Sequence, residues 1–149
     1  MRKEEVGKKK IIVYDFDKTL YDGETGVNFS VFYLKKYPIR SVLFLMKYSK
    51  DLIFYLLKII DLTTLKERYF EFLERHSKGE VEKLVAGFWE TKRHKIYSWT
   101  REELEKNKKE CEMVIVSSAS PLFLIENFLL SLGYDKVFGT NFVNDGKDD

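Results

Sequence analysis

Two carboxylates two positions apart, Asp15 and Asp17, follow the short apolar run Ile11-Ile12-Val13-Tyr14. Such a run reads as a strand buried on both faces, and its polar end lies where open α/β sheets place their ligands. Side chains alternate along a strand, but a chain leaving the sheet turns sharply, so both carboxylates can reach one small volume. Two anions that close repel each other unless a cation sits nearby, which points to Mg²⁺. With Mg²⁺ neutralising a phosphate, Asp15 could attack phosphorus to give an aspartyl phosphate, which divides one difficult displacement into two easier ones. Asp17 would protonate the departing alkoxide and then deprotonate the water that hydrolyses the acyl phosphate.

A second apolar run, Met113-Val114-Ile115-Val116, ends at Ser117-Ser118-Ala119-Ser120. The Ser118 hydroxyl, with Ala119 and the backbone N–H groups opening the next helix, can hold phosphate oxygens. Thr19 fixes the first turn and joins this candidate phosphate cradle. Each motif alone also has a plain structural reading, Asp-x-Asp as a strand-end turn and Ser118-Ala119-Ser120 as a helix cap.

The elements that must position these residues follow from start and stop signals. Ser120 is expected to cap a helix beginning at Pro121, with Leu122, Ile125, Phe128 and Leu129 on its apolar face and Gly133 as its stop. Thr100 and Glu103 have capping-box spacing ahead of a charged helix, Arg101 to Lys109, and Lys136 to Phe142 offers a third strand weakened by Gly139. Between the two strands lies a helical block from Asn28 to Ile96. Thr64 and Glu67 repeat the capping-box spacing there, ahead of Leu65, Tyr69, Phe72, Leu73 and His76 on one helical face, and Gly79 separates them from Val81, Leu84, Val85 and Phe88.

Ile39 to Ile60, after Pro38, confines Arg40, Lys47, Lys50, Asp51 and Lys58 to about a third of a helix circumference and leaves the rest largely apolar. Its longest unbroken apolar run, Leu52 to Leu57, is far short of the roughly 20 residues a membrane-spanning helix needs. Burial of the apolar face inside a helical bundle is expected, with a membrane-surface helix as the alternative.

The 149 residues carry 26 Lys and Arg against 24 Asp and Glu, a net charge of +2, so no global field favours nucleic acid. Hydrophobic residues at 44% with only 2 Pro indicate an ordered, helix-rich domain. The single cysteine, Cys111, reads as a buried strand residue unable to form an internal disulfide, which suits the reducing cytoplasm. Met1 to Lys10 reads as a solvated tail. His76 and His94 are too isolated to form a metal site, and Trp89 and Trp99 read as packing residues. The fold class is α/β: a Rossmann-like parallel sheet core from residues 1–26 and 97–149, with an all-helical cap, 27–96, inserted between them.

Asp15-Phe16-Asp17-Lys18-Thr19-Leu20 resembles motif I of the haloacid dehalogenase-like phosphatase superfamily, and Ser118-Ala119-Ser120-Pro121 resembles its motif II. The helical insertion is similar to the cap of the branch holding phosphoserine phosphatases and C-type phosphatidylglycerophosphatases. The resemblance implies Asp15 as nucleophile and Mg²⁺ ligand, Asp17 as general acid/base giving the metal its backbone carbonyl, and Ser118 as phosphate ligand. Asp17 argues against dehalogenation, because a halide leaving group needs no proton. Glu24 matches by spacing a substrate-contacting acid of phosphoserine phosphatases, and Gly23 and Gly26 beside it could let the cap hinge. The family's motif III lysine and motif IV acidic pair normally lie further along than Asp149, and Lys147, Asp148 and Asp149 read as a loop or frayed end. The expected activity is Mg²⁺-dependent hydrolysis of a small or amphiphilic phosphate monoester, lipid phosphates included. The alternative is a catalytically impaired relative that keeps phosphate or partner binding.

Overall fold

The computed structural model describes residues 10–141. The chain divides into two compact units, one formed by residues up to Gly26 together with those from Lys92 onward, the other by Val27–Thr91.

The first unit holds a parallel sheet in the order β1 (Ile11–Tyr14), β2 (Met113–Pro121), β3 (Lys136–Thr140). Ile11 pairs with Met113 and Tyr14 with Val116, so the two strands emerge level at Asp15 and Ser117. The expectation of strands buried on both faces fails for β1. Ile11 and Val13 are exposed, because they share one sheet face that the described residues leave open, while Ile12 and Tyr14 on the other face are half-buried. In β2 the covered face is dry, with Val114 and Val116 fully buried.

Helix α5 (Trp99–Glu110) leads into β2, and α6 (Leu122–Leu132) links β2 to β3. Ile125 and Leu129 of α6 are fully buried, and Gly133, at φ 109°, ends the helix in the left-handed conformation that glycine tolerates best. Tyr14 is tied to α5 because Asn107 Nδ2 donates to its hydroxyl at 2.6 Å, and that hydroxyl donates to Glu103 at 3.3 Å. Burial, followed by the Glu103 carboxylate, pushes the Tyr14 phenol above its ordinary pKa. Thr100 is therefore no cap. It lies inside α5 with its hydroxyl donated to the Tyr97 carbonyl, and Glu103 serves β1 instead. Cys111 is the half-buried residue that follows α5, outside the strand.

The second unit contains α1 (Thr25–Lys36, beginning in the first unit), α2 (Pro38–Leu56), α3 (Leu62–Tyr69) and α4 (Lys78–Lys92). Its core is aromatic: Phe29 meets Phe88 edge-on at 5.5 Å, Tyr33 lies 4.3 Å from Phe72, and Trp89 is buried beside Phe88. The aromatic richness of this segment thus packs rings against one another. Trp99, by contrast, is 45% exposed and stacks on Tyr97. The face from Leu65 to His76 does not run on one helix, since α3 stops at Tyr69 and a 3₁₀ turn, Glu71–Leu73, follows. Asp61 accepts the backbone N–H of Thr64, so it occupies the cap position expected of Thr64. The capping box belongs to Ser77 and Glu80, each accepting a backbone N–H from the other, with Gly79 inside the first turn of α4.

Helix α2 reverses the burial expected of it. Ser41 and Asp51 are buried, while Leu45, Met46, Ile53 and Leu56 are exposed. It ends at Leu56, short of Ile60, where Lys58 turns to φ 59°.

Candidate active site

The turn after β1 closes on one oxygen. The Phe16 carbonyl accepts the N–H groups of Thr19, Leu20 and Tyr21, and Lys18 at φ 62° returns its own N–H to the Tyr21 carbonyl. Phe16, Leu20 and Tyr21 are buried, so apolar burial fixes the turn that presents Asp15 and Asp17. Residues 20–22 are held in turn by the segment before α5, through Asp22 N–H to the Lys95 carbonyl and Tyr97 N–H to the Leu20 carbonyl.

Asp15 is exposed at the strand end, and one of its carboxylate oxygens accepts the Thr19 hydroxyl at 3.2 Å. Thr19, assigned to phosphate from the sequence, is thus turned toward Asp15. Asp17 is half-buried, and both its oxygens have donors. Oδ1 accepts the Thr25 backbone N–H at 2.9 Å and the Thr25 hydroxyl, and Oδ2 accepts the Ser120 hydroxyl at 2.5 Å. Thr25 is fully buried, so this anchor is rigid. The end of β1, the start of α1 and the end of β2 therefore meet on one carboxylate.

Ser120 is the surprise in this arrangement. It is not a helix cap, because β2 continues through Pro121, which occupies the N-cap position of α6. Ser118 instead accepts the Ser120 N–H at 3.0 Å and braces that residue, while the Ala119 carbonyl accepts the Thr140 hydroxyl at 2.9 Å. Thr25 and Ser120 escaped the sequence reading. Ser120 carried a signal, a small hydroxyl at the end of an apolar run, that a helix cap explains equally well. Thr25 carried none.

Glu24 pairs with Lys18, both exposed, and that carboxylate raises the Lys18 pKa. Lys147, Asp148 and Asp149 lie outside the described residues. Among those described, no group of three or more His, Cys, Asp or Glu could hold a metal ion. With both Asp17 oxygens engaged, the Asp15 carboxylate and the Asp17 main-chain carbonyl remain as donors. Hard oxygen donors of this kind fit Mg²⁺, which is usually bound through one or two carboxylates plus water and substrate phosphate.

Residues 12–148 match the family described as haloacid dehalogenase-like hydrolase. None of the curated proteins matches the sequence. Among solved structures, a protein of unknown function from Bordetella pertussis Tohama I aligns with TM-score 0.75 at 15% identity, covering 93% of this chain and 64% of that one. A phosphoserine phosphatase solved as a phospho-aspartyl intermediate analogue aligns at 0.55 and 21% identity, covering 94% and 60%. A substrate-bound phosphoserine phosphatase complex aligns at 0.54 and 20%, with the same coverage. The chain spans about six-tenths of the length of these structures, and at such identities they speak for the fold.

Proposed function

The chain belongs to the haloacid dehalogenase-like hydrolase family, and from that premise we propose that it hydrolyses a phosphate monoester through Asp15. One observation carries the reading: Ser120 at the end of β2 holds Asp17 at the end of β1, so both strand ends serve one site. In the first half-reaction an Asp15 oxygen bonds to phosphorus as the ester P–O bond breaks, and Asp17 gives its proton to the departing alkoxide. In the second, Asp17 takes a proton from water as that water attacks phosphorus, releasing orthophosphate and restoring Asp15.

The hydrogen bonds to Asp17 support assigning that proton to one of its oxygens. A backbone N–H can only donate, so Thr25 fixes Oδ1 as an acceptor; a hydroxyl can donate or accept, so Ser120 tolerates either state of Oδ2. Oδ2 is the oxygen that gains and loses the proton, and Ser120 is its positioning residue. The Asp15 carboxylate and the Asp17 carbonyl would hold Mg²⁺, which supplies charge neutralisation at the phosphoryl oxygens. Thr19 orients Asp15 through its free rotor, leaving Ser118 and the backbone near Ala119 for the phosphate oxygens. We assign Glu24 to substrate contact, where Lys18 already steadies its carboxylate.

The test is hydrolysis of p-nitrophenyl phosphate with Mg²⁺. Activity should fall by at least roughly 1,000-fold in Asp15→Asn, the scale expected when a nucleophile is removed. Wild-type protein that binds phosphate without turnover would leave the impaired-relative reading in its place.

A further inference from the structure

The exposed face of α2 is largely apolar. Along the helix, Val42, Leu45 and Met46, then one heptad on from Met46 Ile53 and Leu56, share one face with Ser49 between the two groups, and all lie exposed, Met46 at 67% and Leu56 at 70%. Leu52 and Ile39 extend the stripe at its edges, both exposed, Ile39 at 84%. The opposite face is fully engaged. Ser41 donates to the Tyr37 and Leu34 carbonyls, Phe44 meets Phe72 at 5.0 Å, Tyr48 meets Tyr69 at 5.2 Å, and Asp51 accepts from Arg68 at 2.7 Å. Rotating the helix to hide the stripe would break all of these, so the apolar face stays outward in the folded unit. An exposed apolar surface of this extent marks an interaction surface.

Charge selects the occupant. The only acid of α2, Asp51, is buried and paired, whereas Arg40, Lys47 and Lys50 form an exposed row along one edge of the stripe. Lys47 is paired with Glu71; Arg40 and Lys50 lie over the rings of Tyr37 and Phe54, which leaves their charge on the surface. Lys36 at the end of α1 and Lys58 just past α2 are exposed as well. An apolar stripe bordered by basic side chains matches the boundary between acyl chains and anionic headgroups. No helix among the described residues is long and apolar enough to cross a membrane, so this helix would lie on the surface.

We infer that α2 docks the protein flat on an anionic membrane, its stripe sunk to the acyl boundary and Arg40, Lys50 and Lys58 at the phosphates. The docking does not rest on the phosphatase reading, since vesicle binding involves no turnover.

Sedimentation of the whole chain with vesicles of equimolar phosphatidylglycerol and phosphatidylcholine tests it. The protein should pellet with these vesicles at low salt, release partly as salt rises, and pellet less with phosphatidylcholine alone. Met46→Glu/Leu56→Glu should lower the bound fraction about tenfold with an unchanged far-UV circular dichroism spectrum. In Leu45→Trp, vesicles should shift tryptophan emission to the blue, a readout that survives if the double variant misfolds. No pelleting, equal pelleting of the folded double variant, or an unshifted Leu45→Trp emission would each overturn the inference. So would sedimentation velocity showing a wild-type dimer that the glutamates split, because the stripe would then be covered by a second copy.

Discussion

Gly139→Ala should disturb the site from a strand that contributes no site side chain. Gly139 lies in β3 with ordinary strand dihedrals, so its need is for space. A Cβ there would sit 2.8 Å from the Ser120 carbonyl oxygen, 3.0 Å from Leu122 Cα and 3.1 Å from Leu122 N. All three are backbone atoms, and no rotamer change relieves them. The pairing of β2 with β3 is already irregular between Ser117 and Pro121, so this segment is the part that yields. Overpacking of this kind costs about 1–3 kcal/mol. Loss of the Thr140 hydroxyl bond to the Ala119 carbonyl adds about 1 kcal/mol. Shifting Ser120 also weakens its bond to Asp17, and such a bond to a charged group contributes about 1.5–3 kcal/mol. If half or more of that is felt in the transition state, kcat/KM falls about 4- to 160-fold. Urea unfolding and p-nitrophenyl phosphate kinetics on the same preparations measure both effects, with the exposed neighbour variant Phe138→Ala as a control expected to stay near wild type. A Gly139→Ala protein with wild-type urea midpoint and wild-type kcat/KM would refute the coupling between β3 and Asp17.

Two further predictions concern charge. The Asp51 carboxylate is buried with Oδ2 lacking any hydrogen-bond partner, and Arg68 supplies its counter-charge. Arg68→Met should therefore destabilise by about 3 kcal/mol in urea melts, and adding Asp51→Leu should recover most of that, since a buried pair is often replaceable by apolar residues. Asp135 accepts from Lys108 at 2.5 Å and from the Val114 N–H at 2.8 Å, and these bonds, Lys108 first, hold its pKa below the ordinary aspartate value. A lowered folded-state pKa stabilises above the unfolded value and loses that contribution as pH falls through the folded one. Asp135→Asn, discounted for solvent screening, should cost about 0.5–1 kcal/mol at pH 7, with the gap to wild type closing below about pH 4 in pH-dependent thermal melts.

The strand ends and the acid pair were legible in the sequence because they depend on local facts: a β-branched run, its abrupt stop, and two carboxylates at the turn. Gly133 as the stop of α6 was legible for the same reason, since one residue at positive φ ends the helix. Ser120 was not. Its hydroxyl could serve its own helix or a carboxylate 103 residues earlier, and only the β1–β2 register decides between them. The capping boxes failed similarly. Thr64-x-x-Glu67, Ser77-x-x-Glu80 and Thr100-x-x-Glu103 have the same spacing, and the second closes in both directions. At the other two, Asp61 takes the Thr64 N–H, and Glu103 is engaged by Tyr14 and Asn107.

Helix α2 shows why hydrophobic period alone leaves direction open. The period states which residues share a face; it does not state which face turns inward. Counting aliphatic residues favours burying Leu45, Met46, Ile53 and Leu56. The inner surface of this unit, however, is made of rings, and rings pack best with rings at edge-on or offset contacts. Phe44 and Tyr48 supply them on the face that also carries Ser41 and Asp51. Once that face is chosen, Ser41 must donate to the Tyr37 and Leu34 carbonyls, and Asp51 must find Arg68, because neither could be buried otherwise. The aromatic partners thus fix the helix orientation, the polar pairs make it tolerable, and the aliphatic stripe is left facing whatever lies outside the unit.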